Sequence, residues 1–138
     1  MNLEPKQITP RIYQGGWILP QDIPVLSRLG ITHLLNLDLP YDDPQPFIDA
    51  AFTLHTASLI DNCLMLPQQV RDIMALIDQS LDSPRHRLYI HCVEGVSRSA
   101  TISWLYLVYK GWTPEKAGQR IHPNPLLYDE IIVNGLMR

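Results

Sequence analysis

The sequence predicts an α/β protein, a three-layer sandwich whose central, mainly parallel, twisted sheet is flanked by helices. Two observations carry this expectation. Short β-favouring apolar runs alternate with longer stretches whose apolar residues recur at helical spacing, the pattern of strands joined by crossover helices. The chain also has 138 residues, 46% of them hydrophobic, enough for one core with a helical layer on either side. No linker or internal repeat divides it, so residues 1–138 read as a single domain.

In chain order, the first strand is expected near Arg11–Gln14 and the first helix over Asp22–Leu29, with Pro20 and Pro24 around the helix start. Thr32–Leu37 and Phe52–Ala57 read as strands, separated by a loop that carries Pro40, Pro44 and Pro46. Pro67–Leu81 reads as a helix because Val70, Ile73, Met74 and Ile77 form one apolar stripe. After a loop at Pro84, Leu88–His91 is a short buried strand. Helices then follow over Arg98–Tyr109, Pro114–Ile121 and Leu126–Asn134. Thr113-Pro114 and Asn124-Pro125 give the last two the cap-then-proline start of a helix. The 12 prolines therefore fall at element boundaries and do not indicate disorder.

The most informative stretch is His91-Cys92-Val93-Glu94-Gly95-Val96-Ser97-Arg98-Ser99, which joins the strand ending at His91 to the helix starting at Arg98. In that position the backbone N–H groups from Val93 to Arg98 can converge on one small concavity, and the helix dipole adds positive potential there. Gly95 lets the backbone turn where a Cβ would clash. Arg98 can return its planar guanidinium to grip two phosphate oxygens, a fork that lysine lacks. Such surroundings favour a thiolate, so Cys92 is expected to act as a nucleophile without a metal. Ser99 is placed to donate a hydrogen bond to the sulfur when an intermediate breaks down, and His91 to support the loop from behind. A lone cysteine is usually a small core residue. This full set of residues at these offsets, however, arises by chance with a probability on the order of 10⁻⁵.

Phosphate-ester cleavage also needs a proton donor for the leaving oxygen. In an open α/β sheet, ligands gather beyond the carboxyl ends of the strands. Asp61 follows the strand Phe52–Ala57 as Cys92 follows its own strand, so parallel strands would bring both to one rim. Asp22, Asp38, Asp42, Asp43, Asp49, Asp72, Asp78, Asp82 and Asp129 have helical or other loop placements and do not share that reasoning.

The motif His-Cys-x5-Arg-Ser resembles the signature of the cysteine-dependent protein tyrosine phosphatase superfamily, in the form of its dual-specificity branch and of the small single-domain, atypical type. Ile8–Gly16 resembles that family's opening strand and Leu29–Leu37 its first helix-to-strand passage, while Pro123-Asn124 follows the signature at a familiar distance. The resemblance spans the chain from about Ile8 to Met137. It implies the strand order of the sheet and a phosphocysteine intermediate. It also implies a general acid at Asp61-Asn62, 31 residues before Cys92, and an Asn124 that hydrogen-bonds toward the loop. His122 departs from the small residue usual before Pro-Asn.

The expected activity is hydrolysis of phosphotyrosine and phosphoserine or phosphothreonine in a phosphorylated protein substrate, because so short a chain leaves little room for a loop that deepens the pocket. Phosphoinositide and RNA 5′-phosphatases of the same superfamily are the alternatives. Val93, Glu94 and Val96 put no lysine in the loop, and a net charge of −3 argues against a nucleic-acid or anionic-membrane partner. A phospho-binding pseudophosphatase and a sulfurtransferase are readings of another kind. The first lacks a cause when Cys92, Arg98, Ser99 and an acid are all present, and the second does not need Arg98 together with Asp61.

No cofactor is expected, since 5 histidines and 2 cysteines show no zinc-like spacing. Ile102–Tyr109 is too short to span a bilayer. The start Met1-Asn2-Leu3-Glu4-Pro5-Lys6 lacks a signal pattern, so a cytoplasmic, reducing location is expected. Cys63 reads as a structural thiol, with a disulfide to Cys92 under oxidation as the second reading. Trp17, Tyr41 and Tyr128 are either core residues or contacts at the mouth of the site.

Overall fold

The computed structural model describes residues 3–59, 65–93 and 98–121. Asp61, Cys63, Glu94, Gly95, Val96, Ser97, His122, Asn124 and Tyr128, together with the helix expected over Leu126–Asn134, lie outside these residues.

Among the described residues five strands form one sheet: β1 (Lys6–Thr9), β2 (Ile12–Gly15), β3 (His33–Asn36), β4 (Thr53–Thr56) and β5 (Leu88–His91), in the order β1-β2-β5-β3-β4. Only β1 and β2 are antiparallel; the other pairs are parallel. Among the described residues five α-helices accompany them: α1 (Ile23–Arg28), α2 (Gln45–Asp49), α3 (Pro67–Ser80), α4 (Arg98–Tyr109) and α5 (Pro114–Ile121).

Strand periodicity sorts the core into two clusters, one on each face of the sheet. On β5, Leu88 and Ile90 point with Leu35 of β3 into the cluster containing Val70, Ile73, Met74 and Ile77 of α3, most of α4, and Ala117 and Ile121 of α5. Tyr89 and Leu34 point the other way, to Leu26 of α1, Phe47 of α2, Ile18 and Phe52. That division makes the fold a three-layer α/β sandwich. Helix α4 is buried all round from Arg98 to Val108, so its apolar residues mark more than one face.

Two elements differ from the expectation. The opening segment is a hairpin, in which the turn at Pro10-Arg11 folds β1 back on β2 with a register shift between Gln7 and Thr9. Arg11 fastens that turn by donating to the carbonyls of His86, Leu81 and Ser83. The proline-rich loop contains α2, a single turn beginning after Pro44 with Pro46 in its first turn, where a missing N–H costs nothing. Its one buried residue is Phe47.

The register sets which residues meet at one edge of the sheet. Gly15 of β2, His91 of β5, Asn36 of β3 and Thr56 of β4 lie in one row at the carboxyl ends of the parallel strands. The residues just beyond that row share one rim of the sheet.

Candidate active site

Cys92 is the first residue past β5, and Arg98 opens α4, so the loop between them leads from a strand end to a helix start at the centre of the rim. Cys92 is 2% exposed, whereas Val93 beside it is 50% exposed. The loop is pinned at its start from β2: the Trp17 N–H donates to the Val93 carbonyl at 2.7 Å and the Cys92 N–H to the Gly15 carbonyl at 3.4 Å. Glycine is required at position 15, because a Cβ there would collide with the Tyr89 ring and hydroxyl. That hydroxyl donates to the Gly16 carbonyl at 2.8 Å.

Ser99, in the first turn of α4, is fully buried beneath the sulfur. Its Oγ accepts from the Cys92 thiol at 3.4 Å and from Gln14 Nε2 at 2.8 Å, and donates to the Gly15 carbonyl at 3.1 Å. Once Cys92 is a thiolate, its S–H no longer donates, and the single Ser99 proton can turn from Gly15 to the sulfur.

His91 is completely buried at the end of β5. Burial pushes it down to about 4, offset only in part by a hydrogen bond with the Cys92 main chain and by the Asp38 charge. The ring is therefore neutral at pH 7. Tyr41 Oη lies 2.6 Å from Nε2, and burial holds that phenol well above its ordinary value, so two un-ionised groups share one short hydrogen bond at pH 7. Trp17 stands edge-on to the imidazole at 5.5 Å and against Tyr41 at 5.3 Å. The two aromatics, read from sequence as core or mouth, flank the base of the loop, and the Tyr41 hydroxyl is turned inward.

Arg98 is buried, with 9% of its surface exposed. Its Nη2 donates to Asp38 Oδ2 at 2.7 Å and its Nη1 to the Leu59 carbonyl at 3.2 Å. The sequence places Asp38 in a loop, apart from the acid expected at Asp61. The structure corrects this, since Asp38 lies two residues beyond β3, on the same rim as Cys92. The signal in the sequence is an acidic residue next to a strand end, which Asp38 shares with Asp61. Gln14 was also missed, because a glutamine near a strand end carries no motif. Asp61 and Asn124, and Glu94 to Ser97 of the loop, lie outside the described residues.

Comparison with known proteins agrees with the geometry. Residues 18–130 match the family model described as the Swiss Army Knife protein, DSP-PTPase phosphatase domain (PTP-SAK). The chain belongs to this phosphatase family. It is a member of the cysteine-based dual-specificity and tyrosine phosphatase superfamily, as the signature implied. It is 32% identical over 141 residues to MAP kinase phosphatase with leucine-rich repeats protein 3 of Dictyostelium discoideum, covering 93% of this chain and 16% of that protein. It is 30% identical over 115 residues to phosphatidylglycerophosphate phosphatase PTPMT1 of Arabidopsis thaliana, covering 77% of this chain and 33% of that one. The chain thus spans a third or less of the length of these relatives. Among solved structures, Tk-PTP in the active form superposes with a TM-score of 0.81 at 18% identity, over 96% of this chain and 95% of that one, which supports the same fold.

Proposed function

We propose that the protein hydrolyses phosphate monoesters on tyrosine and on serine or threonine of protein substrates through a phosphocysteine intermediate. The observation that carries the reading is a cysteine and an arginine at the two ends of one strand-to-helix loop, with Ser99 beneath the sulfur. In the first step Cys92 Sγ attacks phosphorus in line, the S–P bond forms, and the P–O bond breaks as Asp61 gives its proton to the leaving oxygen. The amides of Val93, Glu94, Gly95, Val96, Ser97 and Arg98, with the Arg98 fork, hold the equatorial oxygens, where the transition state spreads its charge. In the second step water attacks phosphorus, its proton passes to the Asp61 carboxylate, and the S–P bond breaks to return the thiolate. His91 and Asn124 support the loop.

Protein substrates are favoured by a loop without lysine and by the net charge of −3, which gives little attraction to polyanionic headgroups or RNA ends. A lipid phosphate is the second reading, favoured by the similarity to phosphatidylglycerophosphate phosphatase PTPMT1. A reducing, cytoplasmic location suits a catalytic thiolate. No helix among the described residues is long and apolar enough to cross a membrane.

One paired experiment tests the chemistry. Cys92→Ser is expected to abolish hydrolysis of an aryl phosphate while leaving inorganic phosphate binding. Asp61→Asn is expected to slow phosphopeptides far more than activated aryl phosphates, whose leaving groups need no proton. Turnover by Cys92→Ser, or equal slowing of both substrates by Asp61→Asn, refutes the assigned role. A phosphopeptide, phosphoinositide and RNA panel captured by Asp61→Asn then identifies the substrate class.

A further inference from the structure

We infer that the rim around Cys92 selects its substrate by sequence context, taking a phosphorylated residue flanked by apolar and basic side chains of a protein; this rests on the phosphatase reading above. Among the described residues, four large apolar side chains stand out at this rim: Leu19 after β2, Leu39 after β3, Leu66 at the start of α3 and Val93 after β5, each between 48% and 70% exposed.

Their main chains are held in place. Leu19 donates its N–H to Asp22 Oδ2 at 2.7 Å, and its carbonyl accepts from the Asp22 N–H at 2.8 Å. The Leu39 N–H donates to Asp38 Oδ1 at 2.7 Å, and its carbonyl accepts from Asn36 Nδ2 at 2.8 Å. The Leu66 N–H donates to Gln69 Oε1 at 2.8 Å, and its carbonyl accepts from the Val70 N–H at 3.1 Å. The Val93 carbonyl is held by the Trp17 N–H. Side chains displayed from fastened turns bind an apolar partner with little further loss of backbone freedom, and apolar groups gathered around a site mark an interaction surface.

The charges of the rim define the partner further. Among the described residues between the parallel strands and the helices at this rim, 16–21, 37–44, 57–59, 65–66 and 92–93, there is no lysine or arginine, whereas Asp38, Asp42 and Asp43 are present. Asp38 is paired with Arg98. Asp42 and Asp43 are both exposed and follow Tyr41, whose hydroxyl is bonded to His91 at the base of the loop. Lys6, at the rim end of the edge strand β1, is turned to the Ile121 carbonyl at 2.9 Å. Basic side chains flanking the phosphorylated residue complement such a rim, and acidic ones are repelled by it.

A bilayer is the competing partner, because exposed leucines also enter lipid. The distribution of charge argues against it. Arg28, Arg85 and Arg87 are exposed in the segments that lead into β3 and β5, at the opposite pole of the sheet. A chain drawn to anionic lipid by charge would seat that pole on the membrane and turn Cys92 away from it.

The test uses a pair of phosphotyrosine peptides of equal length, one flanked by leucine and lysine, the other by alanine and glutamate. Binding to the full chain carrying Cys92→Ser is read by calorimetry, and kcat/KM by phosphate release in the chain that keeps Cys92. The leucine-lysine peptide is expected to lead by about 10-fold or more in both readouts. Leu39→Ser and Asp42→Lys are each expected to cut that lead by roughly 3-fold or more, and Leu66→Ser carries the apolar test if Leu39→Ser does not fold. High salt should remove the share of the lead due to lysine and leave the share due to leucine. Comparable binding of the two peptides, or a lead that the variants leave intact, overturns the proposal. Faster phosphate release from a phosphoinositide in phosphatidylcholine vesicles than from either peptide, lost in Leu39→Ser, overturns it in favour of a bilayer. A peptide preference in binding by a chain that hydrolyses nothing would retain the rim as a recognition surface and reject the phosphatase reading, and hydrolysis without preference would do the reverse.

Discussion

In the proposed mechanism a single hydroxyl proton on Ser99 links binding and turnover. With the thiol protonated, that proton is directed to the Gly15 carbonyl while Gln14 fills a lone pair on Oγ. When the S–P bond breaks, the departing thiolate becomes the better acceptor. Ser99→Ala is therefore expected to spare formation of the phosphocysteine and to slow its breakdown by roughly 10- to 100-fold, the worth of a hydrogen bond to a charged group. Rapid-quench kinetics should show a burst of aryl alcohol followed by slow turnover, and loss of the burst itself would place Ser99 in the first step instead. At this scale the sequence disclosed residues whose chemistry is carried by a motif, and it concealed those that act by contact. Arg98 stands at a fixed offset from Cys92, whereas its partner Asp38 is 60 residues away; its place after a strand end marks it as a rim residue, but its pairing with Arg98 follows only from β3 lying beside β5.

At the scale of elements, long periodic segments were readable and short ones were not. Helix α3 could be read because Val70, Ile73, Met74 and Ile77 repeat over several turns, and β5 because its Leu88-Tyr89-Ile90 run is apolar and buried on both faces. Helix α2 has one buried residue in five, too few to define a period, and Pro44 before it and Pro46 within its first turn read as a loop. The β1–β2 hairpin was hidden because β1 has a single buried residue, Ile8, in its four-residue strand. A strained residue marks where α2 ends. Ala51 has φ 69°, a left-handed conformation that costs a residue with a Cβ about 1–2 kcal/mol, and its N–H donates to the Ile48 carbonyl at 2.9 Å as the helix closes. Glycine is the residue usual at such a position. Ala51→Gly is expected to stabilise the fold by about 1 kcal/mol after the added unfolded-state entropy is counted, raising Tm by roughly 3 °C. An unchanged or lower Tm in a thermal melt would show that the turn does not retain this strain.

For the molecule as a whole, the parallel sheet gathers the functional groups at one rim and histidines at both ends, and this makes stability depend on pH. His91 lies at the carboxyl rim. At the opposite end His33 packs against His86 at 4.4 Å and against His55 at 6.0 Å. Burial is the main cause that lowers His33 and His55 from the ordinary value of 6.5, with the mutual repulsion of the three rings adding to it at His33. Burial lowers His91 furthest, to about 4. A histidine lowered on folding binds fewer protons in the native state than in the unfolded chain between its two pKa values. Stability therefore rises with pH across that window, is fully present above about 6.5, and is lost as pH falls toward 4. For His91 alone the loss between pH 7.5 and pH 5 is on the order of 2 kcal/mol, a substantial fraction of the 5–15 kcal/mol (roughly) that holds a typical domain. Denaturant melts at the two pH values should record a loss of at least this size, because His33 and His55 act in the same direction. Replacing His91 by Asn removes its titration and should flatten the slope by close to one proton over the same window, even though the variant starts from lower stability without its bond to Tyr41. If the variant keeps the full slope, the acid sensitivity belongs to His33 and His55 and not to His91.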